Sequence, residues 1–298
     1  MSFVASPSVR SYAGKHGVDL DQLARQTGRE LIGREDVDNY LRGSGGTPAA
    51  AAANASHAQY WDVDHSEYGE VTAETMSRFA QVSAQNLAAA NAMIPQVTHH
   101  EEADIGEIEA FRADLKSELV AKGVKLTTLA FHLKALAQSL KAFPRFNASL
   151  SSDGKTLYLK QYVHIGVAVD TPHGLMVPVI RDVDKKGLLQ VGAEINDVAK
   201  RAQQRKVRLE EMGGASITIS NLGGIGGVGF TPIVNPPQVA ILGISRTTTK
   251  PKWDGKNWQP SQMVPLDLSY DHRVINGADA ARFMVHFGAL LETPKKLI

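Results

Sequence analysis

The residue best equipped to move a proton near neutral pH is His272, in the run Asp271-His272-Arg273-Val274-Ile275-Asn276-Gly277. A lone histidine in a strand is more often a packed core residue than a catalyst. Here the alternating apolar run from Leu266 to Tyr270 ends on it, and charged and polar residues crowd the exit from the strand. Asn276 also suits the N-cap of a last helix, where its side chain can accept from orphan amides. Two other patterns carry less. Gly224-Ile225-Gly226-Gly227-Val228-Gly229 has G-x-G-x-x-G spacing, but a dinucleotide site needs a helix directly after it. The prolines at 232, 236 and 237 forbid one, so these glycines are expected in a loop of close backbone approach. His99-His100-Glu101-Glu102 has a metal-like composition, yet neighbours in a strand face opposite sides, and no metal site is expected.

Asp-His-Arg-x-x-Asn-Gly resembles the signature of the dihydrolipoamide acyltransferases, the core components of 2-oxo-acid dehydrogenase complexes. Most of that family has Asp where this chain has Asn276; Asn resembles some bacterial acetyl-transferring members and points to the pyruvate branch. The resemblance implies His272 as general base and Ser220, in Ile217-Thr218-Ile219-Ser220-Asn221-Leu222-Gly223, as the donor that stabilises the oxyanion. It implies a contact from Asn276 to Arg78 that holds the motif loop. Coenzyme A would thread along Asp170, His173, Gly174, Leu175 and Pro178, with Arg112 as a phosphate contact. The acyl donor would be a lipoyl group carried on a lipoyl domain that this chain does not show, since Asp184-Lys185-Lys186 does not match the family's Asp-Lys-Ala hairpin. The chain therefore reads as a fragment of a longer protein. The family builds its site between neighbouring subunits of a trimer, and trimers assemble into a cage, here expected to be cubic. The expected reaction is acetyl transfer between dihydrolipoamide and coenzyme A. The alternatives are a succinyl or branched-chain specificity, or a silent scaffold that only anchors partner enzymes, against which the retained His272 counts.

That chemistry suits the residues. A thiol of pKa about 8.5 and an imidazole of about 6.5 are closely enough matched for the histidine to accept a proton and return it. Ser220 is not assigned as a nucleophile, because the acyl group already sits on sulfur. Asn276 cannot compensate an imidazolium as a carboxylate does, which disfavours a Ser-His-Asp hydrolase.

The elements that must position these residues are legible from periodicity. Helices are expected over Val71–Asn91, with Met76, Phe79, Val82 and Leu87 on the apolar face, and from a capping box at Asp104-x-x-Glu107 through Lys122. Further helices are expected over Thr127–Phe143, Leu188–Arg205 and Ala278–Leu291. Strands are expected at 96–100, 156–159, 163–169, 175–180, 215–220, 239–244 and 263–270, and a hairpin about Asp254-Gly255 between Trp253 and Trp258. Helices on a mixed sheet give an α+β domain over 60–298, and the resemblance implies the chloramphenicol-acetyltransferase-like fold.

Residues 5–42 read as a miniature helical unit, with Ser6 or Ser8 capping a helix that carries Val9, Tyr12 and Ala13, and Val37, Tyr40 and Leu41 on a later one. They resemble the family's peripheral-subunit-binding domain through Pro7-Ser8-Val9-Arg10, Gly17-Val18-Asp19-Leu20 and Glu35-Asp36-Val37. The loop from Ala24 to Leu31 departs from the family's glycine-rich, basic pattern. The resemblance implies that Arg10, Arg25, Arg29 and Arg34 grip acidic patches on the pyruvate decarboxylase and dihydrolipoamide dehydrogenase components. Residues 43–59, Gly/Pro- and alanine-rich, cannot bury enough apolar surface to fold and read as a flexible linker. A net charge of +1 gives no global pull toward nucleic acid or anionic membrane, and no apolar run is long enough to span a bilayer. With no cysteine there is no disulfide framework, which fits a reducing cytoplasm.

Overall fold

The computed structural model describes residues 4–27, 31–41, 63–121, 125–172 and 174–298. They fall into two compact units, Met1–Thr75 and Met76–Ile298. In the first, β1 (Val4–Ala5) pairs in parallel with β2 (Leu31–Ile32), among α1 (Pro7–Lys15), α2 (Leu20–Thr27) and α3 (Arg34–Leu41). The Ser6 hydroxyl caps α1 by accepting from the Val9 amide at 3.3 Å, and Asp19 accepts from the amides of Asp21 and Gln22 at the start of α2. Val9, Ala13, Leu23, Ile32 and Val37 close a small core, with Tyr12 and Tyr40 packed on its edge. Arg29 and the expected linker, 43–59, lie outside the described residues.

The second unit is built on a seven-stranded mixed sheet. Its strands are β3 (Gln96–Asp104), β6 (Ile165–Ala168), β7 (Val179–Ile180), β8 (Ile217–Asn221), β9 (Ala240–Ile244), β10 (Thr248–Trp253) and β11 (Trp258–Asp271). A separate hairpin joins β4 (Ala148–Leu150) to β5 (Leu157–Leu159). The central strands β6, β8 and β9 are parallel, and β11 runs antiparallel between β9 and β3. The α+β class is as expected.

One face of the sheet packs on helices. Leu242, Ile244, Leu266 and Leu268 meet α6 (Thr128–Ala142), α7 (Leu188–Gln203) and α8 (Gly277–Leu291) in one continuous core. Helix α6 buries most of its surface between Ala130 and Leu140, and its polar stripe of Lys134, Gln138 and Lys141 is the side left out of the core. Phe146 stacks on Phe283 of α8 at 4.2 Å, tying the core to the last helix.

Several expected boundaries shift. The helix expected from Val71 begins at Arg78 and ends at Met93 (α4), because Ser77 is its N-cap, accepting from the Ala80 amide at 3.2 Å. Its apolar stripe is not core: Phe79, Val82 and Leu87 are 40–46 % exposed, and only Ala90 is buried. Strand β3 runs on to Asp104, whose carboxylate receives the Gly106 amide at the start of α5 (Gly106–Ala121) and pairs with Lys252, so it closes a turn in place of a capping box. Only Val179 and Ile180 of the expected 175–180 strand join the sheet, with a single bridge from Met176 to Val169. The Trp253–Trp258 hairpin forms about Asp254-Gly255 as expected, with ring centroids 5.3 Å apart and both rings exposed.

Candidate functional site

The second face of the sheet carries the polar residues. In β11 the core-facing Leu266, Leu268 and Tyr270 alternate with Asp267, Ser269 and Asp271, which point the other way. Register then aligns one row across five strands: His100 opposite Asp267, Asp267 opposite Gly243, Gly243 opposite Ser220, and Ser220 opposite Ala168. Ser220 is half-buried and borders a cavity of about 390 Å³ walled by Phe79, Val82 and Leu87 of α4, with Leu175, Phe230 and Ile233. The exposed stripe of α4 is therefore the wall of this cavity.

The segment after Ser220 supplies another part of the lining, through Phe230 and Ile233. Leu222 returns its amide to the Ile244 carbonyl, Gly226 bonds back to the Leu222 carbonyl, and Arg246 holds the Ile225 carbonyl at 2.7 Å. The chain then crosses the sheet as extended segment and turns, without the helix that a dinucleotide site requires.

His272 lies at the far end of β11. The buried Asp271 carboxylate accepts from the Arg273 side chain at 2.9 Å (Nε) and 2.7 Å (Nη2), and from the Arg273 amide at 3.0 Å. That bond raises the Arg273 pKa further and folds the motif into a tight turn. Arg145 pins the turn by donating Nε and Nη2 to the Val274 carbonyl. His272 is left projecting outward, its amide on the Pro95 carbonyl at 3.1 Å and its ring beside Tyr270 at 5.9 Å. Asp271 is thus committed to Arg273, not to orienting the imidazole. A second cavity, of about 560 Å³, is bordered by Asp271 and Arg273 and by the C-terminal turn of α4.

Ser220 and His272 do not meet within one chain. Asp267, in the Ser220 row, and His272 are five residues apart along β11, or about 17 Å, and two strand spacings separate the strands, giving close to ~20 Å in all. Helix α4 shows the same span: Phe79 sits at the Ser220 cavity and Met93 at the Asp271 cavity, ~21 Å along the axis. Asn276 caps α8, its Oδ1 accepting from the Asp279 amide at 2.9 Å. Arg78, exposed at the opposite end of α4, does not reach it in one chain.

Of the expected coenzyme A residues, Leu175 lines the Ser220 cavity, Gly174 packs on the Phe79 ring of its wall, and Pro178 is buried, its carbonyl accepting from Val167. Gly174 has φ +113, and a Cβ there would stand 2.7 Å from the Phe79 ring. Asp170 is exposed and holds Gln203 through its carbonyl. His173 lies outside the described residues. Arg112 is not brought to this group: it is bonded to Glu109 and to the Leu126 carbonyl. His100, from the metal-like run, bonds Asp267 at 2.6 Å, and among the described residues no cluster of three or more His, Asp or Glu could hold a metal ion. Sequence reasoning missed Asp267, Phe230 and Gly243; the alternation in β11 was the signal for Asp267.

The fold and this face belong to a known class of catalytic domain. The family model described as 2-oxoacid dehydrogenases acyltransferase (catalytic domain) matches residues 68–298. The chain belongs to that family. It is similar to the dihydrolipoyllysine-residue acetyltransferase component of the pyruvate dehydrogenase complex of Pseudomonas aeruginosa, at 49% identity over 99% of this chain and 54% of that protein. The corresponding Cupriavidus necator protein is 46% identical, over 99% of this chain and 55% of that protein. The chain spans about half the length of the curated relatives it matches. Among solved structures, the Azotobacter vinelandii dihydrolipoamide acetyltransferase is 52% identical, with a TM-score of 0.77 over 79% of this chain and 97% of that one. In that enzyme a serine, a histidine and an asparagine have a role in the catalytic mechanism, and they stand 52 and 4 positions apart. The cubic core of a pyruvate dehydrogenase multienzyme complex is 53% identical, again with a TM-score of 0.77 over 79% and 97% of the two chains.

Proposed function

We propose that this chain carries the catalytic core of an acetyltransferase that moves acetyl between dihydrolipoamide and coenzyme A in a pyruvate dehydrogenase complex. The observation that carries the reading is spacing: Ser220, His272 and Asn276 stand 52 and 4 positions apart, like the serine, histidine and asparagine of the Azotobacter enzyme. His272 takes the proton from the attacking thiol, the resulting thiolate adds to the thioester carbonyl, and Ser220 donates to the oxyanion. Collapse expels the second thiolate, which recovers the proton from His272. The thiols are those of coenzyme A and the lipoyl group, and the apolar cavity beside Ser220 and Leu175 suits a thin thioester arm.

A serine and histidine close to ~20 Å apart in one chain require a second copy to complete the site. That separation supports self-association, into trimers as the family resemblance implies, and the likeness to a cubic core supports a cubic cage. Residues 5–42 are proposed as the unit that binds the peripheral enzymes, with Arg10, Arg25 and Arg34 exposed on it. No helix among the described residues is long and apolar enough to cross a membrane. A cytoplasmic location is proposed with the complex itself, on the likeness to bacterial pyruvate dehydrogenase components.

The test compares acetyl-, succinyl- and isobutyryl-dihydrolipoamide as donors to coenzyme A. Acetyl is expected to lead; equal or faster succinyl transfer would overturn the acetyl assignment. His272→Ala is expected to lose roughly 10²–10⁴-fold in rate while still assembling.

A further inference from the structure

We propose that Asp267 and His100 are positioning residues that hold the Phe230 ring as the acyl-side wall of the Ser220 cavity, and so set how large an acyl group the site accepts. The inference rests on the reading of Ser220 as the oxyanion donor.

Asp267 is a carboxylate in the middle of a sheet and only 2% exposed. Burying such a group is costly unless its lone pairs are met. Both oxygens are met, by groups distant in the chain: His100 Nδ1–H donates to Oδ1 at 2.6 Å, and the Phe230 amide donates to Oδ2 at 3.0 Å. The second bond fixes where the loop from Ser220 crosses the sheet. Further along, the Val234 amide donates to Gln96 Oε1 at 2.7 Å, so the segment is pinned at two points.

Between the pins the Phe230 ring lies on Gly243, where an added Cβ would stand 2.8 Å from ring Cζ. Gly243 is the register partner of Ser220, so the ring is about one strand spacing, ~5 Å, from the serine. A carbonyl oxygen within hydrogen-bond reach of Ser220 leaves its acyl substituent only a few ångströms of room on that side. An acetyl methyl fits against the ring; a branched chain collides with it. His100 acts at one remove, by keeping the Asp267 carboxylate turned toward the Phe230 amide.

The experiment uses the full chain as wild type, Asp267→Asn, Asp267→Val, His100→Ala and Phe230→Ala. KM and kcat are measured separately for acetyl- and isobutyryl-dihydrolipoamide, and amide exchange is followed in the peptide containing Phe230. Asp267→Val and Phe230→Ala are expected to erode the acetyl preference by roughly tenfold or more, the scale at which a pocket discriminates one or two methylenes. In Asp267→Val the acetyl-donor KM rises more than kcat falls, and the Phe230 amide loses protection. Asp267→Asn keeps an acceptor for that amide and is expected to keep both protection and selectivity. Unchanged selectivity and protection in Asp267→Val overturns the proposal, as does Asp267→Asn behaving like it. Should Asp267→Val fail to fold, retained acetyl preference in both His100→Ala and Phe230→Ala overturns it. Wild-type protein that transfers neither acyl group sinks the acyltransferase reading itself, while amide exchange still reports whether Asp267 holds Phe230.

Discussion

Ser220 and His272 of one chain sit at opposite ends of β9: Ser220 is paired with Gly243 near its end, whereas the Asp271 amide bonds the Val239 carbonyl at its start. No rotamer bridges the ~20 Å between them. If both act on one thioester, each working site takes its serine from one copy and its histidine from another. Ser220→Ala and His272→Ala proteins should then each be nearly inactive alone. Mixed and reassembled one to one, they should regain about a quarter of wild-type activity, because a quarter of random interfaces pair an intact serine with an intact histidine. Coupled assay after denaturation and co-refolding measures this, and no regain from demonstrably mixed assemblies would place both residues in one chain's site.

Asn276 separates into two functions by the choice of replacement. Its Oδ1 caps α8 through the Asp279 amide, a bond worth about 1 kcal/mol when lost to alanine. Serine caps nearly as well but is one atom shorter and cannot also reach an arginine from another copy. Asn276→Ala should lower both thermal stability and kcat; Asn276→Ser should hold stability within a few tenths of a kcal/mol and lose at least ~10-fold in kcat. Full activity in the serine variant would reduce Asn276 to its cap.

Gly174 is required by backbone and by packing together. Its φ of +113 is a region that side chains resist, and the Phe79 ring occupies the place of a Cβ. Gly174→Ala should cost roughly 1–3 kcal/mol by chemical denaturation and displace Phe79 from the Ser220 cavity. A variant with unaltered stability and donor KM would show that the turn relaxes freely.

Periodicity found the strands and helices because each face repeats within one segment: Leu266, Leu268 and Tyr270 against Asp267, Ser269 and Asp271 is such a pattern. It could not say what covers a face. Phe79, Val82 and Leu87 have the spacing of a core stripe, yet they border an open cavity, since that depends on strands more than 80 residues further on. The partners of Asp267 were hidden for the same reason: His100 and Phe230 stand 167 and 37 residues away. The Asp271–Arg273 bond is local, but nothing in Asp-His-Arg told whether the aspartate would orient the histidine or the arginine. The Arg78–Asn276 contact came only from the family resemblance, and one chain cannot make it.

His132 gives the fold an acid limit. It is wholly buried in α6, its Nδ1–H donating to the Thr128 carbonyl at 2.7 Å, its Nε2 without a partner, and its ring 6.3 Å from Phe287. Burial lowers its pKa from 6.5 to about 4. Below pH 6.5 the unfolded chain binds a proton that the folded chain refuses, so stability falls as pH drops toward 4 and flattens beyond it. The loss attributable to this residue is roughly 3 kcal/mol across that window. His132→Phe removes the titrating group, so the difference between wild-type and variant unfolding free energies should change by that amount between pH 7 and 4. A difference independent of pH would mean that the imidazole is protonated, or reached by water, in the native core.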